Sequence, residues 1–204
     1  VATGARAGTT GRRWAKTEET RKQVLDAAAA VFIEQGYTRT GVSEIVSRAG
    51  SSVGSVYHHF GGKAEVYLAL WESYVGELAH AAADAVAKVR ASGVEDPLAQ
   101  FEAGTRAYLD ATWRRRHLYS IFYSGDAPPE FETMRRERSQ EWVRRNVMIL
   151  GLGKNVEDRL SVASLTSVVG DAARITAGCR TAAQARRVAE HAVVLIRRLY
   201  PGPR

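Results

Sequence analysis

The groups in this chain that could do chemistry lie between Thr40 and Ala64, in the stretch TGVSEIVSRAGSSVGSVYHHFGGKA. Thr40, Ser43, Ser52 and Ser55 carry short hydroxyls, Tyr57 and His59 carry polar tips on flat bodies, and Lys63 adds a point charge. None of these forms a nucleophile–base pair. Adjacent His58 and His59 would diverge on a helix, which argues against their sharing a metal ion. What such groups do well is donate hydrogen bonds to phosphate oxygens and approach base edges, where phosphate contacts fix position and a few side chains read sequence.

The surrounding pattern supplies the elements that would hold them. Val42, Ile45, Val46 and Ala49 recur at helical spacing and predict one short helix. Gly50 suits the positive φ of a tight turn, and Ser52 can accept from the free N–H groups of a new helix start. In that second helix Val53, Val56 and Phe60 are expected to face inward, Gly54, Ser55 and His58 outward, with Tyr57 and His59 on the flanks. A helix so short is not stable alone, so it must be braced from behind while its outer face stays free. This is the helix-turn-helix arrangement, whose second helix enters the DNA major groove. Its starting amides with Ser52 would attract phosphate or base acceptors, small Gly54 and Ser55 would allow close approach to the groove floor, and Thr40 and Ser43 could anchor the other strand.

From about Thr20 to Leu70 the chain resembles the DNA-binding domain of the tetracycline-repressor (TetR) family of bacterial transcription regulators. The resemblance rests on Gly36-Tyr37, Thr40, Val42, Ile45, Ala49-Gly50, Gly54, the run Val56-Tyr57-His58-His59-Phe60, and Lys63. Gly41, Ser51 and Ala64 depart from the family's usual residues without removing a group essential to the fold. The resemblance implies that Tyr57, His59 and Lys63 touch phosphates and that Val53, Gly54, Ser55 and His58 face bases. It also implies a helical body that binds an effector and lowers DNA affinity when occupied.

Composition agrees with that reading without requiring it. The 204 residues are 45% hydrophobic, enough for a core in one or two domains, and carry a formal charge of +7, which suits a polyanionic partner. A single cysteine, Cys179, excludes a disulfide within the chain and any Cys-cluster metal site, and fits a reducing compartment. There is no run of eighteen apolar residues, and the N-terminal stretch lacks the apolar core of a signal peptide. The expectation is a cytoplasmic protein with no membrane partner and no cofactor.

The expected architecture is all-α, in three segments. Residues 1–17 form a basic arm, disordered when free, which is either a plain tail or a segment lying along phosphates or in a minor groove. Residues 18–62 form the three-helix DNA-binding domain, opened by a helix capped at Thr17 with the stripe Val24, Leu25, Ala28, Val31 and Phe32. Residues 63–204 form a larger helical domain for effector binding and dimerisation. It begins with a long helix from Lys63 whose stripe is Val66, Leu70, Tyr74, Leu78 and Ala81. Asp96 and Pro97 open the next helix, and 125–129 is the clearest loop.

Between Phe101 and Trp142 the body is dense in aromatics. An ordinary helical core explains most of them, but an apolar cavity with a few polar groups is the usual small-molecule site. Trp113, Tyr119, Phe122, Tyr123 and Trp142 are the candidate lining residues, with Asp171 and Arg174 as either polar anchors or an ion pair across one helical turn. The last two helices carry small residues (Ala163, Ser167, Gly170, Ala177) and a wide apolar stripe (Val188, Ala192, Leu195, Ile196, Leu199), suggesting a twofold dimer. The leading function is a homodimeric transcriptional repressor, released from a palindromic double-stranded operator by a largely apolar or aromatic ligand. The alternatives are an enzyme on the same helical body, disfavoured because His80, Asp84, His117 and His191 are scattered, and an architectural DNA-binding protein without an effector.

Overall fold

The computed structural model describes residues 7–153 and 155–202, with side chains from residue 17 onward, and its regular elements are all helices. In chain order these are α1 (Ala7–Gln35), α2 (Val42–Ala49), α3 (Val53–His59), α4 (Lys63–Ala91), α5 (Pro97–Arg114), α6 (Arg116–Tyr123), α7 (Phe131–Leu150), α8 (Val156–Ala177) and α9 (Ala182–Leu199). They fall into two compact units. The first runs to Ser73 and takes in Ser120–Pro128; the second comprises Tyr74–Tyr119 and the chain from Pro129 on. The division therefore falls inside α4 and inside α6.

In the first unit, α1 buries Val24, Ala27, Ala28, Val31 and Phe32 on one face, the expected stripe except that Leu25 is only half-buried. The helix already runs from Ala7, so Thr17 is internal to it rather than its cap. Extending an existing helix backward is far easier than nucleating one. Residues 7 to 17 of the expected arm are thus helical, and its first six lie outside the described residues. Gly36 ends α1 at φ +81, with its N–H donating to Phe32 O at 2.9 Å.

Tyr67 and Trp71 lie outside the apolar stripe expected of α4, and both are buried, at 0% and 3% exposure. They receive the Ser120–Pro128 segment. Tyr67 Oη donates to Ile121 O at 2.9 Å, and the Phe122 ring meets those of Tyr67 and Trp71 edge-on at 5.4 and 5.0 Å. Asp126 then accepts from the Thr38 N–H at 3.0 and 3.2 Å and from the Thr38 hydroxyl. A stretch far along the chain thereby closes the turn after α1.

In the second unit, Asp96 caps α5 by accepting from Leu98 and Ala99 N–H groups at 3.1 and 3.2 Å, with Pro97 at its first position. α5 packs against α7, α8 and α9 over a core that includes Phe101, Leu109, Val162, Leu165 and Ile196. Glu102 on α5 is buried at 6% exposure. Arg197 from α9 engages both its oxygens at 2.6 and 2.7 Å, so the charge is paired as burial demands. Along the body part of α4 the buried residues are Tyr74, Val75, Leu78, Ala82 and Val86; Ala81, expected in the stripe, is half-buried beside it.

Candidate nucleic-acid interface and ligand cavity

The α2–α3 pair is assembled by local rules. Gly41 N donates to Glu44 Oε2 at 2.7 Å, which ties down the start of α2. Gly50 ends it at φ +60, with Ser51 N donating to Val46 O at 3.2 Å, a left-handed helix end. Ser52 caps α3 by accepting from Ser55 N at 3.1 Å. Ile45 and Val56, both at 0% exposure, pin the two helices to the core. Arg21 from α1 adds a brace that the sequence reading missed. Its guanidinium lies 4.6 Å from the centre of the Phe60 ring and Nη1 donates to His59 O at 3.4 Å; the signal was a lone arginine near the stripe of α1.

The outward face of α3 then carries Val53 (48% exposed), Gly54, Tyr57 (55% exposed) and His58, with Ser55 and His59 half-buried. Val53 corrects the expectation of an inward residue. Val56 and half-buried Phe60 already fill the rear of this short helix, which leaves its first position to solvent. A Cβ at Gly54 would meet nothing nearer than Ser52 Oγ at 4.0 Å, so the backbone is open to close approach. Ser43 and Ser52 are exposed beside this face.

Two of the expected contacts are placed otherwise. Thr40 is 3% exposed and its hydroxyl donates to Gly36 O at 2.6 Å, so it stitches the α1–α2 turn and does not present itself to a partner. Lys63 Nζ donates to Tyr37 O at 2.9 Å and Thr40 O at 2.8 Å and sits 4.3 Å from the centre of the Tyr37 ring. The carbonyls left open where a chain turns away from a helix attract a cation, and the ammonium is committed to them.

The second unit holds a cavity of ≈ 450 Å³ bounded by α4, α5, α7 and α8. Val86, Phe101, Tyr108, Trp142, Ile149 and Val169 make it mostly apolar, and Arg90, Arg145 and Asn146 bring polar groups. The Tyr108 and Trp142 rings meet edge-on at 5.0 Å. Of the sequence candidates, Trp142 lines this cavity and the others do not. Phe122 and Tyr123 belong to the first unit, against Trp71. Trp113 is covered by the Arg116 guanidinium at 3.8 Å and borders a separate groove with Leu109 and Ala189, and Tyr119 is half-buried outside the lining. Asp171 and Arg174 form a 3.2 Å ion pair on the exposed face of α8, the plainer of the two readings offered for them. Phe101, Tyr108 and Asn146 were not among the lining candidates. Asn146 had a signal: it stands four residues after Trp142, in the inward register of an otherwise charged helix.

Large apolar side chains remain exposed on α8 and α9: Val156 and Leu160 at 69%, Ile175 at 50%, and Leu199 at 49%. Among the described residues no helix is long and apolar enough to cross a membrane, and no group of three or more His, Cys, Asp or Glu is placed to hold a metal ion.

Comparison with known proteins converges on the same region. Residues 24–70 match the family model of the bacterial regulatory proteins of the tetR family. The HTH-type transcriptional activator FasR of Mycolicibacterium smegmatis is 31% identical over 109 residues, covering 53% of this chain and 48% of the relative. The chain spans about half, or less, of the length of the curated relatives it matches. A TetR-like transcriptional regulator from Rhodococcus sp. RHA1 superposes with a TM-score of 0.69 at 20% identity, over 90% of this chain and 97% of that one. The structure described as a SmeT–triclosan complex does so with a TM-score of 0.65 at 23% identity, over 87% and 89%. Residues 24–70 thus carry a helix-turn-helix region of the tetR family of bacterial regulatory proteins, and the described helices share the fold of TetR-like regulators.

Proposed function

We propose that this protein is a cytoplasmic, homodimeric transcriptional repressor that binds a palindromic operator through α3 and leaves it when a small apolar or aromatic effector fills the body. Residues 18–62 act as the reading head, 63–204 as the effector-binding and dimer-forming body, and no catalytic step is involved. The observation that carries this is the outward face of α3, where Val53, Gly54, Tyr57 and His58 are held exposed above buried Ile45 and Val56. That face has no Arg or Asn to read bases, so phosphate contacts and DNA shape supply much of the affinity, and binding is strongly salt-dependent. Ser43, Ser52, Ser55 and His59 border the same face, while Thr40 and Lys63 support it from within. The test is retention of sheared genomic DNA by the full chain, followed by sequencing. A defined palindrome should be enriched, and Ser55→Glu, which places a carboxylate against the DNA, should abolish the enrichment. Retention without sequence preference would instead support an architectural DNA-binding protein. Deleting the gene should raise transcripts beside the enriched site, whereas a fall would mark an activator, as the relative FasR is named.

The dimer is read from α8 and α9. Val156, Leu160, Ala163, Ser167 and Gly170 succeed one another at helical spacing on one exposed face of α8, and such a stripe marks a partner surface. A palindromic operator read by a dimer needs the two recognition helices about 34 Å apart, one turn of DNA. Leu160→Arg is expected to convert a dimer into a monomer by sedimentation and to lose operator binding. An unchanged dimer would place the interface elsewhere.

The cavity supports the effector reading, as does the likeness of fold to the SmeT–triclosan complex. Switching from almost full to almost no operator occupancy requires the effector to favour the released state by roughly 5.5 kcal/mol.

A further inference from the structure

The charged groups around the cavity are of one sign. Its α4 wall is Ala79, Ala83, Val86 and Ala87, one face at helical spacing that ends in Arg90. Its α7 wall carries Arg145 between Trp142 and Ile149 at the same kind of spacing. No Asp or Glu is among the lining residues described. Both arginines are exposed, so a solute can reach them. Arg90 is held in place without being neutralised. Gln100, 6% exposed, donates from Nε2 to Val94 O at 2.9 Å, which turns its Oε1 toward Arg90 Nε at 2.6 Å. A neutral amide satisfies that one N–H and leaves the charge and the two terminal nitrogens, an edge that fits a carboxylate. Glu95 borders an adjoining groove that shares Arg90, but the two form no ion pair. Arg145 likewise has no hydrogen bond or ion pair with any described residue. Glu141, which senses its charge, is bonded to Arg138 at 2.8 Å.

Resting on the reading of this cavity as the effector site, we infer that its effector class is an apolar monocarboxylate and that Arg90 and Arg145 are its specificity-determining residues. Phe101, Trp142 and Val169 cover the apolar body, and the guanidinium groups take the carboxylate. Hydrogen bonds between ionised partners are the stronger kind, and their attraction grows where apolar walls displace water. A neutral ligand of the same shape forgoes that attraction. A lipophilic cation meets two guanidinium groups and no carboxylate, so the site discriminates against it.

The test titrates the full chain with 2-naphthoate and with 2-naphthamide, which share a ring system and size but differ in charge, by calorimetry at neutral pH. The naphthoate should bind about tenfold or more tightly than the amide, the effect of a hydrogen bond to a charged group. In the double variant Arg90→Met with Arg145→Met the ratio should fall to about one, through loss of naphthoate affinity alone. Both side chains are exposed, and methionine keeps most of the stem, so the fold should survive. Arg90→Lys with Arg145→Lys keeps the charges and should retain a preference for the naphthoate. Equal affinities in the parent protein, an unchanged ratio in the methionine pair, or identical behaviour of the two double variants would overturn the assignment of the arginines while leaving the cavity as a ligand site. Failure of both compounds to bind the parent would overturn the effector reading of the cavity and this inference with it.

Discussion

Gly36→Ala is expected to destabilise the reading head by roughly 2–3 kcal/mol, more than its backbone conformation alone explains. At φ +81 any L side chain is strained, at a cost of roughly 1–2 kcal/mol. The new methyl would also overlap Asp126 Oδ2. A flexible carboxylate would normally swing away, but this one is held by the Thr38 N–H and hydroxyl. Moving it therefore sacrifices those bonds, worth about 1 kcal/mol at a site this open to solvent. The two contributions can be separated. Asp126→Ala alone loses the bonds, and in the double variant the methyl meets no obstacle, so the loss should fall short of the sum of the single losses. Thermal melting monitored in the head gives the comparison; strict additivity would mean that Asp126 does not clamp the turn.

The same clamp has a pH signature. The Thr38 hydroxyl, with backbone N–H groups of Thr38 and Tyr37 and the charge of Lys63, holds the Asp126 carboxyl below its ordinary value against the opposing effect of burial. A depressed folded-state pKa adds stability that is fully present above the ordinary carboxylate pKa. That stability is lost as pH falls through the depressed value. Asp126→Ala should accordingly flatten the acid side of the stability profile and leave neutral pH dependence unchanged.

Lys63→Met is the second large effect, and it separates two roles for one residue. The family resemblance implies a phosphate contact, while in the structure the ammonium bridges the carbonyls of Tyr37 and Thr40 over the Tyr37 ring. Methionine keeps the stem and removes the donors, stranding half-buried carbonyls. The expected loss is about 2 kcal/mol of head stability, from charged hydrogen bonds and a cation–π contact together. DNA affinity should fall because the α1–α2 turn loosens, but the salt slope of binding should match that of the parent. A slope reduced by about one unit would restore the phosphate contact instead.

What was legible in the sequence was what local rules determine. The stripe of α1, the Gly50 turn and the Ser52 cap depend on residues within a few positions of one another, and each stands where its spacing put it, apart from Val53 and half-buried Leu25. The cavity was less legible because aromatic density along the chain does not say which way each ring turns. Phe122 and Tyr123 were grouped with Trp142, yet Tyr67 and Trp71 hold them in the other unit. Thr40 and Lys63 were read as outward groups because their types suit phosphate. Their true partners, the carbonyls around Gly36 and Tyr37, are backbone atoms that no residue pattern displays. The Thr38–Asp126 clamp spans 88 positions, beyond any periodicity.

That clamp bears on how such regulators can be recombined. A chimera that borrows this head by cutting the chain at Lys63 would leave behind Ile121, Phe122 and Asp126, which finish its rear wall. Grafts that carry Ser120–Pro128 along with the first seventy-three residues should keep the borrowed reader soluble and selective, and those that omit it should yield a frayed one.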